Sequence, residues 1–264
     1  MSPRTSVAVV GSSASGGGGA ASLLAEAAVR FDFSEYDDVG NMVDVVAGWG
    51  PLTPSHSGGS PTLALIAEGL QVTNLAAPGL TRFRIAGVPG PLSFDGDGLT
   101  YLSVVRVLEA WDNSPVSAFV LQGDYNNDGA PTLAGEWELI NGSEDSVSIL
   151  HQDQGPGFAN IVDDGAVGVE TDPVNVGGVF VHVVVLDAAA EVVRSYLASP
   201  DGVTTIRDLP FTEAATYTDF SIDYFNWNVS PTGAAFDRVW IESDAWNRAL
   251  TPAEVAALVA HFTG

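Results

Sequence analysis

From residue 29 onward the chain is a succession of short apolar runs, each closed within a few residues by Gly, Pro, Asn or Asp. That punctuation is the pattern of strands folded against one another in a sandwich, and it leaves no space for the alternating helices of βα units. Strands are expected at residues 29–33, 81–85, 100–108, 118–122, 136–140, 147–151, 179–187, 192–197, 219–227 and 236–243. Residues 179–187 are almost wholly apolar, so this strand is expected to be central and covered on both faces. Phe220, Ile222 and Tyr224 interleave with Asp219, Ser221 and Asp223, which gives their strand one wet face. One large sandwich accommodates the series, since all-β domains commonly reach 264 residues. A chain this long buries about three quarters of its extended surface and needs no disulfide staple. It has no cysteine. No internal repeat occurs at solenoid or propeller spacing.

The two ends differ from this body. At the N-terminus a short apolar strand at residues 6–10 precedes a linker containing the glycines at 16–19, then a helix-prone alanine-rich stretch at 20–29. Gly/Ser linkers are flexible, so residues 1–28 are expected to form an arm for docking or oligomerisation, with the sandwich at 29–264. At the C-terminus Thr251 can cap a helix, Pro252 suits its first turn, and Glu254 completes a capping box. Val255, Leu258, Val259 and Phe262 then form one apolar face, which should dock on the sandwich.

Phe236-Asp237-Arg238-Val239-Trp240-Ile241, followed by Trp246-Asn247-Arg248-Ala249-Leu250-Thr251-Pro252-Ala253-Glu254-Val255, resembles the closing strand, turn and helix of laminin G-like, concanavalin A-like domains. Two further stretches resemble that family in the right order. Val181-His182-Val183-Val184-Val185, Arg194-Ser195-Tyr196-Leu197 and Asp201-Gly202-Val203 are similar to its His-Val-Ala-Val hairpin and Asn-Gly turn, and Leu92-Ser93-Phe94-Asp95-Gly96 to an early strand end. The resemblance spans residues 29–262 and implies an all-β, concanavalin A-like jelly-roll β-sandwich with a short C-terminal helix and an N-terminal arm. Lectins, adhesion modules, virion surface proteins and some glycan-cleaving enzymes share that fold, so fold alone does not choose a function.

Charge excludes several partners. The chain has 33 acidic residues against 9 basic ones, all Arg, for a net charge of −24. Nucleic acid needs clustered cations, and Arg82, Arg84 and Arg106 are the one local grouping. Anionic lipid is disfavoured for the same reason, and no apolar run is long enough to cross a membrane as a helix. Self-repulsion at −24 is largely screened at ~1 M salt, where the Debye length is ~3 Å, so adaptation to a saline host is expected. A GC-rich genome alone explains Arg in place of Lys but not the 21 Asp residues. The N-terminal apolar stretch is too short for a signal-peptide core, which points to synthesis in the host cytoplasm.

Candidate sites were weighed on their residue types. Gly11 and the glycines at 16–19 miss both nucleotide-loop patterns, with Ser13 at the second dinucleotide glycine and Gly17 where a phosphate-loop Lys belongs. Asp124, Asn126 and Asp128 supply oxygens at the first, third and fifth positions of a calcium loop, with Gly129 at the sixth. The twelfth position is Gly135, and the same residues suit a plain tight turn, so calcium and turn both stay open. The laminarinase-type enzymes of the resembling fold carry E-x-D-x-x-E, which Glu136-Trp137-Glu138-Leu139-Ile140-Asn141 approaches, with Asn141 where the acid/base Glu should be; Asn cannot transfer a proton at neutral pH. His56, His151, His182 and His261 lack zinc-site spacing, and no G-x-S-x-G elbow occurs. Sugar binding asks for aromatic faces beside amides or carboxylates. Trp111 with Asn113, and Trp227 with Asn226 and Asn228, offer that pairing, the second more fully.

The expected function is therefore non-enzymatic: a decoration, fibre or spike protein on the surface of a virion or a similar assembly. It would dock to other assembly proteins through its N-terminal arm, form a homo-oligomer and bind a host glycan. A free carbohydrate-binding module is the alternative, and a divergent glycan-cleaving enzyme of the same fold is the third.

Overall fold

A computed structural model of the chain describes residues 5–8, 17–35, 42–43, 51–57, 62–73, 80–84, 92–94, 98–108, 117–122, 135–141, 146–153, 159–162, 167–168, 177–187, 189–190, 192–198, 200, 202, 204–210, 220–222, 224–228 and 237–264. In chain order its elements begin with β1 (Thr5–Ala8), α1 (Gly17–Ala25), β2 (Val29–Asp32), a 3-10 turn (Phe33–Glu35), β3 (Met42–Val43), β4 (Pro51–Ser57), β5 (Thr62–Ile66), β6 (Gly69–Thr73), β7 (Leu80–Arg84) and β8 (Leu92–Phe94). There follow β9 (Leu99–Val107), β10 (Ser117–Gln122), β11 (Gly135–Asn141), β12 (Ser146–Asp153), β13 (Ala159–Val162), β14 (Val167–Gly168), β15 (Val179–Asp187) and β16 (Val192–Ala198). The chain closes with β17 (Thr204–Pro210), β18 (Phe220–Ile222), β19 (Tyr224–Asn228), β20 (Arg238–Trp246) and α2 (Pro252–Thr263).

These strands make an all-β sandwich of two nine-stranded sheets, with every described pairing antiparallel. The first sheet runs β1-β17-β16-β15-β9-β20-β6-β5, with β2 also paired to β20. The second runs β13-β12-β11-β10-β19-β7-β4-β3, with β14 on β12, and β18 pairs β8 separately. As its apolar run predicts, β15 lies inside the first sheet, between β9 and β16, with Val181, Val183 and Val185 buried in one register set and Phe180, His182 and Val184 in the other. Asp219 to Trp227 was expected as one strand. The structure divides it, with β18 on β8 and β19 in the second sheet, so the alternation of Phe220, Ile222 and Tyr224 runs across two sheets rather than along one.

Both helices cover one face of the first sheet. Ala20, Leu23, Leu24 and Ala27 recur at helical spacing and are buried with Val255 and Leu258 of α2 and with Leu102, Val183 and Trp246 of the sheet. Ala20, Leu23, Leu24 and Ala27 thus lie in the buried core, and β1 pairs in register with β17. Each helical glycine costs about 1 kcal/mol relative to Ala, yet α1 begins at Gly17, within the glycine run. Burial of its apolar face offsets that cost, since packing supplies most helical stability in proteins. The indole N–H of Trp246 donates to the Leu23 carbonyl at 2.8 Å and fixes α1 to β20.

The closing segment follows the expected chemistry. Thr251 caps α2, Pro252 opens it, and the reciprocal Thr251–Glu254 capping box is complete. Arg248 donates to Glu254 at 2.8 Å, and this pair, with the cap, holds the Glu254 carboxyl down to about 2. Thr100 of β9 accepts from the Leu250 N–H at 2.9 Å and donates to the Arg248 carbonyl at 2.8 Å, pinning the turn before α2 to the sheet. Gly202 takes a φ of +83° where the Asp-Gly turn was expected between β16 and β17. Gly69 is required more strictly: at φ +153°, a Cβ there would lie 2.1 Å from the Trp240 carbonyl oxygen.

Candidate functional site

Polar groups in the first sheet are committed to structure. His182 is buried, with its Nε2 3.0 Å from Ser195 Oγ, and burial pushes the imidazole down to about 4. It is a satisfied core histidine, as its apolar strand suggests. Tyr101 shares a buried hydrogen bond of 3.1 Å with Ser243, and burial raises its phenol well above the usual value. Four arginines pair with carboxylates: Arg30 with Glu242, Arg106 with Glu68, Arg194 with Asp208, and Arg248 with Glu254. Arg238 is fully buried over the Trp240 ring, 5.9 Å from its centroid, and desolvation brings the guanidinium down to about 9 against the pull of Asp237. Burial raises the Glu242 carboxyl, and Arg30 offsets this only in part.

The second sheet divides differently. Reading its ladders across, one register set contains Phe83, Leu121, Trp137, Leu139, Phe225 and Trp227, with His151 opposite Trp137. The other set contains Arg84 opposite Asn226, Arg82 opposite Asn228, and Gln122 opposite Glu136, with Val120 between Asn226 and Glu138. Alternate residues of a strand lie on opposite faces, and a sandwich turns its apolar set toward the core. The second of these register sets, which also holds Tyr224, Ile140 and Leu150, is the candidate functional set.

Asn226, Trp227 and Asn228 are consecutive in β19, so the two asparagines share a face while Trp227 falls in the apolar set with Phe83. In the ladder Asn226 and Asn228 are registered with Arg84 and Arg82, and Trp227 with Phe83. Arg106, which groups with Arg82 and Arg84 in the sequence, pairs with Glu68 in the first sheet. The signal available in sequence was Arg-x-Arg and Asn-x-Asn, each with the period of a strand face. Glu136 and Glu138 also lie in the polar set, whereas the unbroken pairing of β11 with β12 puts Asn141 in the other. Trp111, Asn113, Asp124, Asn126 and Asp128 lie outside the described residues. Among the described residues no group of three His, Cys, Asp or Glu side chains could hold a metal ion.

No family model and no curated protein matches the sequence. Solved structures do match the fold, receptor-binding domains among them. The botulinum neurotoxin serotype D binding domain superposes with a TM-score of 0.58 at 6% identity, over 92% of this chain and 52% of that one. A botulinum neurotoxin type C structure, described in terms of cell entry through two ganglioside molecules, gives 0.56 at 11% identity over 92% and 53%. The binding domain of botulinum neurotoxin DC in complex with SialylT gives 0.55 at 10% identity over 90% and 52%. The chain thus spans about half the length of each of these solved chains, and at such identities the likeness is one of fold.

Proposed function

We propose that this chain is a non-enzymatic, glycan-binding β-sandwich that serves as a surface part of a virion or a comparable assembly in a saline environment. The observation that carries the binding role is the division of the second sheet into an apolar set and a polar set rich in Arg, Asn, Gln and Glu. A flat polar sheet face with planar amide and guanidinium groups suits a chain of hydroxyls. The fold shared with ganglioside- and SialylT-associated binding domains supports the same reading. The concanavalin A-like kinship, the oligomer, docking through the N-terminal residues and a calcium site at Asp124, Asn126 and Asp128 belong to this proposal as well.

A glycan array with the native protein, followed by a reducing-end assay on each bound glycan, tests the reading. Retention of at least one glycan family without release of sugar is the expected result. Failure to retain any glycan would remove the binding role, and released reducing ends would make the protein an enzyme. Saline adaptation has its own measurement: the thermal midpoint should climb from dilute buffer to ~1 M potassium chloride as the −24 charge is screened. A flat or falling midpoint would leave the charge to genome composition.

A further inference from the structure

The first sheet ends differently on its two sides. At one end β17 is met by β1, in register from Thr5–Arg207 to Ala8–Thr204. At the other stands β5, which pairs with β6 on its inner side and, among the described residues, with no strand on its outer side. The Ala67-Glu68 loop closes the β5–β6 hairpin on the pair Ile66–Gly69. A two-residue loop makes that closing pair a hydrogen-bonded one, and hydrogen-bonded and non-hydrogen-bonded pairs alternate along an antiparallel ladder. Leu63 and Leu65 therefore turn their backbone N–H and C=O groups to the outer edge. Both faces of the strand also meet solvent. Ala64 is exposed on one face, and on the other Leu65, 46% exposed, is the one large apolar side chain left exposed among the described residues. Edges of this kind are ordinarily blunted by Lys, Pro or an inward-pointing charge. Residues 62–67, Thr-Leu-Ala-Leu-Ile-Ala, contain none of these, and the carboxylate of the loop, Glu68, is taken by Arg106 at 2.6 Å.

We propose that the outer edge of β5 pairs with β5 of a second copy of this chain, antiparallel about a two-fold axis at Ala64, so that two first sheets join into one. That axis sets Leu63 against Leu65 of the second copy, and Leu65 against its Leu63. Both are positions whose backbone groups face outward, so each pair exchanges its hydrogen bonds, and the leucine positions gather on one face as cross-strand neighbours. Charge selects this occupant. A two-fold interface sets every patch against itself, and in a chain of net charge −24 a patch bearing carboxylates would oppose its own carboxylates. The neutral edge of β5 escapes that repulsion, whereas a basic partner would find no acid along it to pair with. The inference rests on the oligomeric reading above and adds to it the surface and the symmetry.

The test follows the full chain by sedimentation velocity over a concentration series in ~1 M potassium chloride, where self-repulsion is screened. The native protein should form a dimer, and Leu65→Glu, which puts a carboxylate of each copy into the paired edge, should weaken that dimer by at least about tenfold. A second pair of variants uses the absence of cysteine from the chain. Ala64 lies on the axis as a non-hydrogen-bonded pair with its own mate, about 4.5 Å between Cα atoms, within reach of a disulfide. Ala67 would stand about 20 Å from its mate. Mild oxidation should therefore cross-link most of Ala64→Cys and little of Ala67→Cys. A native chain that stays monomeric at every concentration overturns both the pairing and the oligomeric reading. A dimer that survives Leu65→Glu, or that cross-links no better at position 64 than at 67, overturns the pairing alone and puts the interface elsewhere. Should Leu65→Glu fail to fold, the two cysteine variants decide.

Discussion

The two sheets handle charge in opposite ways. In the first, cations are consumed internally: Arg106 and Arg194 are tied to Glu68 and Asp208, and Arg238 is sealed over Trp240. One face is buried under α1 and α2, and the buried residues of the other, such as Phe180 and Val184, are equally covered. In the second, the central strands β19 and β7 bring arginines and amides to one face with no acid at the neighbouring positions. The difference separates the sheets: the polar groups of the first are committed to its structure, while the proposed recognition role falls to the second.

The strongest way to break that contrast is to empty the first sheet's core. Trp246→Ala removes a fully buried ring and its bond to Leu23, and should cost about 3–5 kcal/mol in chemical denaturation. A loss under about 1 kcal/mol would mean that α1 is not integral to the body. Trp227→Ala probes the second sheet on its apolar set. Its register predicts a loss of about 3 kcal/mol, whereas intact stability with abolished glycan binding would return Trp227 to the role of an exposed platform.

Acid should weaken the first sheet through His182. Its folded value of about 4 lies below the ordinary 6.5, so the unfolded chain takes up the proton first as pH falls. Stability is complete above pH ~6.5 and declines toward pH ~4, by roughly 3 kcal/mol at most. Denaturation midpoints across that window, with His182→Gln as the flattened control, measure it. A smaller effect is due at the C-terminal cap, where Thr251→Ala should cost about 1 kcal/mol and lower the thermal midpoint by a few degrees. The smallest belongs to Arg82→Gln with Arg84→Gln, which should leave stability within about 0.5 kcal/mol of the native value. A larger loss would show these arginines bound up in structure like those of the first sheet, and the contrast between the sheets would close.

Much of this architecture is legible in the sequence where one local rule acts alone. The apolar run of β15 announces a buried strand, and Thr251, Pro252 and Glu254 announce a capped helix. The rest depends on pairing between distant residues. Glycines at 17–19 carry a weak local preference against helix, which the burial of Ala20, Leu23 and Leu24 overrides. Pro51 and Pro54 lower the strand signal of β4, an element toward the end of the second sheet. Trp227 with its two asparagines reads as a cluster along the chain, and only the strand period shows that the cluster is split between faces. The register of Arg82 and Arg84 depends on strands whose sequences lie far away.

The strand β20 also governs when the fold can form. Its first residues pair with β6 and its last with β2, the ladder to β9 shifting between Trp240 and Glu242, and β9 lies along the other edge throughout. Among the described residues, β2, β5 and β6 join the rest of the first sheet through β20 alone. During synthesis β2 and the β5–β6 pair must therefore wait, with a hydrogen-bonding edge open, until residues 238–246 leave the ribosome. A nascent chain arrested before that point would be a substrate for holdase chaperones and proteases, and productive folding would be a late, nearly all-or-none event.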